Sequence, residues 1–534
     1  MLRITLPTAL RGATLALAAL LLATAALADD DARAAALQGL VDAGQAPWLT
    51  HAPSPAEADA LRRLYTPRQY APLWLHDGTP TAQAGTVIAV LGEADAEGLI
   101  PLDYDAPRLA AEAPRIAGSD ADAAALFDVA LSLAAMRYAS HAAVGRVDPR
   151  AVGFSVDVDP KRPDLAALVL ELSTDPDPRA RLHGLDPPFP AFARLRETLV
   201  EYRALSRTDL PAVPDFPKLT PGDSNPQLPA LRARLTALGD LPADAAPPAD
   251  PAHYDEALAA AVRAFQRRHG LADDAVVGPG TLRALKTPPA ARVPQIELAM
   301  ERMRWLPYSW PARFIFVNIP EFRLRGFAAG SAAPALAMNV VVGQAATKAK
   351  HKTPVLQADM TYLVFRPYWM VPSSIANKEL WPKIDNDPSY LDRNNMLVSN
   401  GRIRQRPGRG NSLGLLKFIF PNPHHVYLHD TPSKGLFARS RRDFSHGCIR
   451  VSDPPALAEF VLTGMNGWDR AKIEKAMKSG PDDRHVTLDV PVPVYIFYTT
   501  VVVENAGQVI FFDDIYGHDA TLERQLAKGF PYSN

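Results

Sequence analysis

Three kinds of hydrophobic periodicity follow one another along the 534 residues. The first is a single apolar run from about Ala13 to Leu27, behind Arg3 and Arg11 and closed by Ala26-Leu27-Ala28 before Asp29 and Asp30. A basic flank, a short apolar stretch and small residues at its end are the layout of a secretory signal peptide, here residues 1–28, with cleavage expected after Ala28. The run is short for a retained membrane anchor. No second apolar run is read as spanning length, so the exported chain is expected to be soluble. The second pattern, over 29–210, is helical. Ala- and Leu-rich segments such as Ala123 to Tyr138 carry apolar residues at three- and four-residue spacing, and clusters such as Asp175-Pro176-Asp177-Pro178 interrupt them. A mostly helical domain with long loops is predicted, followed by a proline-rich linker over 211–226.

A compact helical module is predicted over 227–288. Leu228, Leu231, Leu235 and Leu238 fall on one face of a first helix, and Leu258, Ala261, Val262 and Phe265 on one face of a second. Gly270 stops the second helix, the turn Gly278-Pro279-Gly280-Thr281 starts a third through Leu282 and Leu285, and Pro288-Pro289 closes the module. The run from Ala261 to Leu271, followed by Val276-Val277-Gly278, resembles the small three-helix peptidoglycan-binding domain. Most of those residues have packing or turn-forming roles, so the resemblance speaks to fold more than to binding.

From Arg313 the period becomes that of strands. Phe314 to Val317, Met338 to Val342, Tyr362 to Phe365, Val426 to Leu428 and Val494 to Val503 are rich in β-branched and aromatic residues bounded by turn signals. Asn505-Ala506-Gly507 predicts a hairpin into Val509 to Phe512. A β-rich domain over 296–480 is predicted, with strands in 481–534 completing it. The polar, Arg- and Asn-rich stretch from Lys378 to Asn411 reads as an inserted lid or loop subdomain. The fold class is therefore multidomain α+β.

Composition narrows the chemistry. The formal net charge is −1, so a global positive field for nucleic acid is excluded. Cys448 is the one cysteine, which rules out an internal disulfide and leaves either a buried structural residue or a thiol with a task. The surrounding Ser445-His446-Gly447-Cys448-Ile449-Arg450 favours the second. A thiol attacks a carbonyl as thiolate, and a neighbouring imidazole, a cation or a helix N-terminus lowers its pKa. His429 and His446 are the two candidate bases. His429 ends a strand that can pair beside the cysteine segment and is preferred, with His446 left a packing or hydrogen-bonding role. Ser452-Asp453-Pro454-Pro455 predicts a helix start shortly after the cysteine, whose positive end would help a thiolate. Gly447 allows a tight turn whose N–H groups would hold an oxyanion.

Ser445-His446-Gly447-Cys448 with His429 upstream resembles the signature of the YkuD-type L,D-transpeptidases. The stretches from Pro72 to Leu75, from Gly98 to Tyr104 and from Glu301 to Pro307 resemble the large YcbB-like subfamily, with its helical scaffold domain and its approach to the catalytic domain. The resemblance implies Cys448 as nucleophile, His429 as general base and acid, and Ser445, His446 and Gly447 as the shapers of the oxyanion hole and the base. It further implies that Arg450 positions an anionic donor peptide while Tyr427 and Trp369 line its site. Met370 departs from the polar residue expected beside Trp369. No metal or cofactor is implied. The implied activity is periplasmic 3→3 cross-linking of peptidoglycan stem peptides by thioester acyl transfer, with other wall synthases as partners and carbapenems as covalent inhibitors. The same site would serve lipoprotein attachment or cross-link hydrolysis, and a non-catalytic wall-binding scaffold is the reading from another class.

Overall fold

The computed structural model describes residues 29–532 apart from 247, 332, 346–350, 466 and 505–506. The expected signal peptide lies outside the described residues, as do two residues of the hairpin turn expected at Asn505-Ala506-Gly507.

The N-terminal helices, among them Pro55–Tyr65, Ala82–Gly92 and Leu165–Thr174, pack around Ala121–Val144. That central helix is long and apolar enough to cross a membrane, contrary to the expectation that no second run reaches this length. Its neighbours bury 83% of its most apolar window, so it is the core of a helical domain. Two of its buried polar side chains are held from neighbouring segments: Asp128 accepts from the Tyr65 hydroxyl at 2.6 Å and the Trp74 amide at 2.8 Å, and Arg137 donates to Glu57 at 2.9 Å.

The module after it has three helices, Leu228–Ala237, Glu256–Arg268 and Pro279–Lys286, closed over Leu228, Leu231, Leu235, Leu258, Val262, Phe265 and Leu285. The segment 211–226 is not a free linker. Proline removes regular backbone there, yet Val213, Phe216 and Leu219 dock on the module core, and Leu219 exchanges backbone hydrogen bonds with Val277.

The β-rich domain is built from β1 (Arg313–Asn318), β2 (Arg323–Ala328), β3 (Leu336–Gly343), β4 (Leu356–Phe365), β5 (Leu416–Ile419), β6 (Leu428–His429), β7 (Asp443–Ser445), β8 (Ile449–Val451) and β9 (Arg484–Phe497). They run in the order β7-β3-β8-β6-β5-β4-β9-β1-β2, and β2 also pairs with β3, so eight strands close into a ring and β7 lies outside it on β3. Closure leaves those eight without a free edge. The long strand β9 sits between β4 and β1, so the C-terminal part of the chain is central to the sheet rather than an addition to its rim.

Antiparallel β4 and β5 pair directly, Phe365 opposite Leu416, and everything from Arg366 to Leu415 is one insertion in their connection. It begins earlier than Lys378 and is a folded unit, not a loop. A three-stranded sheet (Trp369–Met370, Met396–Ser399, Arg402–Gln405) and short helices share a core of Val371, Ala376, Leu380, Met396 and Ile403. The polar face of this small unit dominates its sequence, and its few apolar residues lie too far apart in the chain to show a period.

The helical and β-rich domains are joined by buried contacts. Glu301 accepts from the Arg146 and Val147 amides and pairs with the Arg146 guanidinium at 3.2 Å, while Tyr532 near the C-terminus donates to Asp103 at 2.5 Å.

Candidate active site

The site is one face of three neighbouring strands. His429 on β6 pairs with Lys417 on β5 and with Arg450 on β8. Side chains alternate along a strand, so Phe418, Leu428 and Ile449 point into the core while Lys417, His429 and Arg450 take the opposite face. Tyr427 and Cys448, each two residues before a member of that row, share the same face. The histidine and cysteine are thus brought onto one surface from adjacent parallel strands.

The sulfur is held from β6. The Tyr427 hydroxyl and backbone amide favour its ionised form, and Lys417 and Arg450 add positive charge. Burial outweighs these, and it pushes the Cys448 thiol above its ordinary value. Lys417 Nζ stands 4.6 Å from the centre of the Tyr427 ring, and the Tyr427 and His429 rings meet edge to face at 5.7 Å. Arg450 Nε is buried and has no hydrogen-bond partner among the described residues.

His429 is only 5% exposed. Its Nδ1 lies 2.5 Å from the Asp430 carbonyl, which can only accept, so Nδ1 carries the hydrogen and Nε2 keeps its lone pair. Burial, then the charge of Arg450, pushes its pKa down to about 3. The resting pair is therefore a neutral thiol and a neutral imidazole, and the thiol pKa is raised where the sequence predicts a lowered one. Asp430 is itself fixed, accepting from Lys434 at 2.6 Å and from the Leu415 amide at 2.8 Å. Gly414 makes this approach possible. Its φ is +63°, and a Cβ there would stand 2.3 Å from the Asp430 carboxyl carbon.

The turn that carries Cys448 is braced by hydroxyls. Ser445 Oγ accepts the Gly447 N–H at 3.1 Å and donates to the Cys448 carbonyl at 2.5 Å. Thr353 Oγ1 accepts from the Gly343 amide at 2.9 Å and donates to the Gly447 carbonyl at 2.8 Å, and Tyr516 donates to the Gly343 carbonyl at 2.5 Å. The Gly447 amide is thus occupied by Ser445, which removes it from the turn N–H groups expected to hold an oxyanion, and Gly447, with φ +117°, shapes the turn. The following helix Pro454–Leu462 is also spoken for. The Asp453 carboxylate accepts from the Ala456 amide at 3.0 Å and places a negative charge at the end expected to assist the thiolate.

His446 turns away from the sulfur. Its Nε2 lies 2.7 Å from Glu379 Oε1 in the insertion, and its ring is 4.8 Å from that of His351. Trp369 packs against the core of the insertion, and nothing among the described residues brings it to Cys448. Sequence reading missed Lys417, Thr353, Tyr516 and Glu379. Only strand register could have revealed Lys417, and the other three come from segments distant in the chain.

Comparison with known proteins covers three parts of the chain. Residues 59–199 match a scaffold domain, 224–285 a "Putative peptidoglycan binding domain" and 312–480 an L,D-transpeptidase catalytic domain. A "Putative L,D-transpeptidase" of Haemophilus influenzae is 31% identical over 233 residues, which is 39% of this chain and 45% of that one; the match spans less than half of the relative. Among solved structures, an L,D-transpeptidase from Xylanimonas cellulosilytica is 20% identical with a TM-score of 0.17, covering 54% of this chain and 100% of its own. One from Stackebrandtia nassauensis is 14% identical with a TM-score of 0.20, covering 54% and 97%.

Proposed function

We propose, from the match of residues 312–480 to the L,D-transpeptidase catalytic domain, that the chain is a cell-wall transpeptidase acting outside the cytoplasm, with Cys448 as nucleophile and His429 as base. The observation that carries this reading is the row of Cys448, Tyr427, His429, Lys417 and Arg450 on one face of β5, β6 and β8.

The substrate is a tetrapeptide stem whose third residue supplies the attacked carbonyl. As sulfur attacks, His429 Nε2 takes the thiol proton, so thiolate forms only in the course of the reaction. Collapse of the tetrahedral intermediate breaks the amide bond to the terminal D-alanine, whose nitrogen takes the proton back from His429 and leaves as the amine. An acceptor amine from a second stem attacks the thioester, forms the 3→3 amide bond and returns the hydrogen to sulfur. Tyr427 steadies the sulfur as it ionises and releases it as it acylates. Lys417 and Arg450 hold the anionic donor, and the Cys448 N–H supplies the oxyanion donor that Gly447 cannot.

The test is incubation of the purified chain with tetrapeptide muropeptides. A 3→3 dimer and free D-alanine are expected, both absent with Cys448→Ala. D-alanine release without dimer identifies a hydrolase, and release that needs a lipoprotein amine identifies an attachment enzyme. Carbapenem treatment is expected to add one drug mass to the wild type and none to the variant.

A further inference from the structure

Four buried polar atoms without hydrogen-bond partners meet in the helical domain, on segments other than those that carry Cys448. Glu97 follows helix Ala82–Gly92, His183 ends helix Pro178–His183, and Asp186 precedes helix Pro190–Leu205. Glu97 Oε2, His183 Nδ1 and both carboxylate oxygens of Asp186 are buried and make no hydrogen bond among the described residues. The Asp186 side chain is only 9% exposed and that of Glu97 only 4%. A buried carboxylate with both oxygens unsatisfied demands a bound partner, water or an ion.

The spacing separates those two. His183 Nδ1 lies 3.6 Å from Glu97 Oε1 and 3.8 Å from Asp186 Oδ2, too long for hydrogen bonds. Ligands about 2.0–2.2 Å from a tetrahedral zinc ion stand roughly 3.3–3.6 Å from one another, close to the separations seen. We propose that Glu97, His183 and Asp186 bind a divalent transition-metal ion of the zinc class. One imidazole and two carboxylates suit that class better than magnesium or calcium, which prefer oxygen alone.

Two guanidiniums border the site. Arg304 donates to the Glu97 backbone carbonyl at 2.7 Å through one nitrogen, and its other two are buried without a hydrogen-bond partner among the described residues. Arg196, which donates to Glu97 Oε1 at 2.8 Å and lies 3.9 Å from Asp186 Oδ2, is 37% exposed and would have to turn outward when a cation enters. The metal staples two helix ends of the scaffold beside Arg304, in the approach to the catalytic domain. Its role is structural.

The test uses the full-length, tag-free chain stripped with a chelator and titrated with Co²⁺. One equivalent is expected to bind with visible ligand-field absorption, and Zn²⁺ is expected to displace it and raise the melting temperature by several degrees. Asp186→Asn and His183→Gln should each weaken Co²⁺ binding at least tenfold. If Asp186→Asn does not fold, His183→Gln, whose side chain is 35% exposed, carries the comparison. No absorption in the wild type, or bands unchanged in the folded variants, overturns the site and identifies the cluster as hydrated.

Discussion

Tyr427 stands across the β6–β8 pairing from Cys448, and both its phenol and its backbone amide favour the ionised sulfur. The amide survives any side-chain change, so Tyr427→Phe isolates the phenol. Hydrogen bonds to a charged acceptor are worth about 1.5–3 kcal/mol, so the thiol pKa should rise by about 1–2 units. Alkylation of the intact protein by iodoacetamide, followed by mass spectrometry across pH, checks this. In the wild type the rate should climb toward an inflection above the ordinary thiol value, and in Tyr427→Phe the inflection should move higher still. A plateau of reactivity below neutral pH would mean a preformed thiolate and contradict the neutral pair.

Thr353 ties the turn that carries Cys448 to β3, since its hydroxyl bridges the Gly343 amide and the Gly447 carbonyl. Thr353→Val keeps the shape and removes both bonds, leaving a buried donor and acceptor unsatisfied. A stability loss of about 1–3 kcal/mol is expected in urea melts. On the proposed reaction the loss should fall on kcat more than on KM, because the turn that positions sulfur loosens while the donor contacts stay. Equal kcat in the two proteins would show that the bridge has no part in positioning.

What the chain disclosed unaided depended on the range of the interactions involved. Leu228, Leu231 and Leu235 mark the buried face of a helix because the period is local, and that face is where the module core lies. Cys448 and His429 stood out because their spacing relative to strands is also local. Lys417 did not, since its place beside His429 is set by β5–β6 register, a non-local property. The Ser445 hydroxyl on the Gly447 amide was equally hidden, because a turn's hydrogen bonds depend on φ and ψ values that the residue names do not state. The insertion misled for a third reason: its small core is assembled from Val371, Leu380, Met396 and Ile403, which no short window contains together.

His518 is packed edge to face against Phe154 at 4.9 Å and Tyr498 at 4.7 Å, and burial pushes its pKa down to about 4. The folded state therefore holds the neutral ring while the unfolded chain protonates near 6.5. Above 6.5 neither state takes the proton and the residue adds no pH dependence. As pH falls from 6.5 toward 4 the unfolded chain is favoured, by up to about 3 kcal/mol at the lower end. His518→Phe removes this titration, so the variant should gain stability relative to wild type over that window. Urea melts of both proteins at pH 7.5, 6 and 5 measure the divergence, and parallel curves would contradict the buried neutral ring.

The contact between His446 and Glu379 joins the residue two places before Cys448 to the folded insertion, at 2.7 Å. Both side chains are substantially exposed, 33% and 42%, so the pair contributes less than about 1 kcal/mol to global stability. On the proposed reaction its effect should instead be local, in keeping the insertion near the thioester. An acylated sulfur partitions between an amine acceptor and water, and a looser insertion admits water more readily than it changes the first attack. Glu379→Gln weakens the contact and Glu379→Ala removes it. On tetrapeptide donors the ratio of hydrolysed to transferred product is expected to rise several-fold in Glu379→Ala and less in Glu379→Gln. The melting temperature should hold, and so should the iodoacetamide rate at Cys448. That second measurement separates the two ideas in play: a changed alkylation rate would mean the pair acts on the sulfur itself. An unchanged product ratio with unchanged alkylation would mean the insertion has no hold on water at this site.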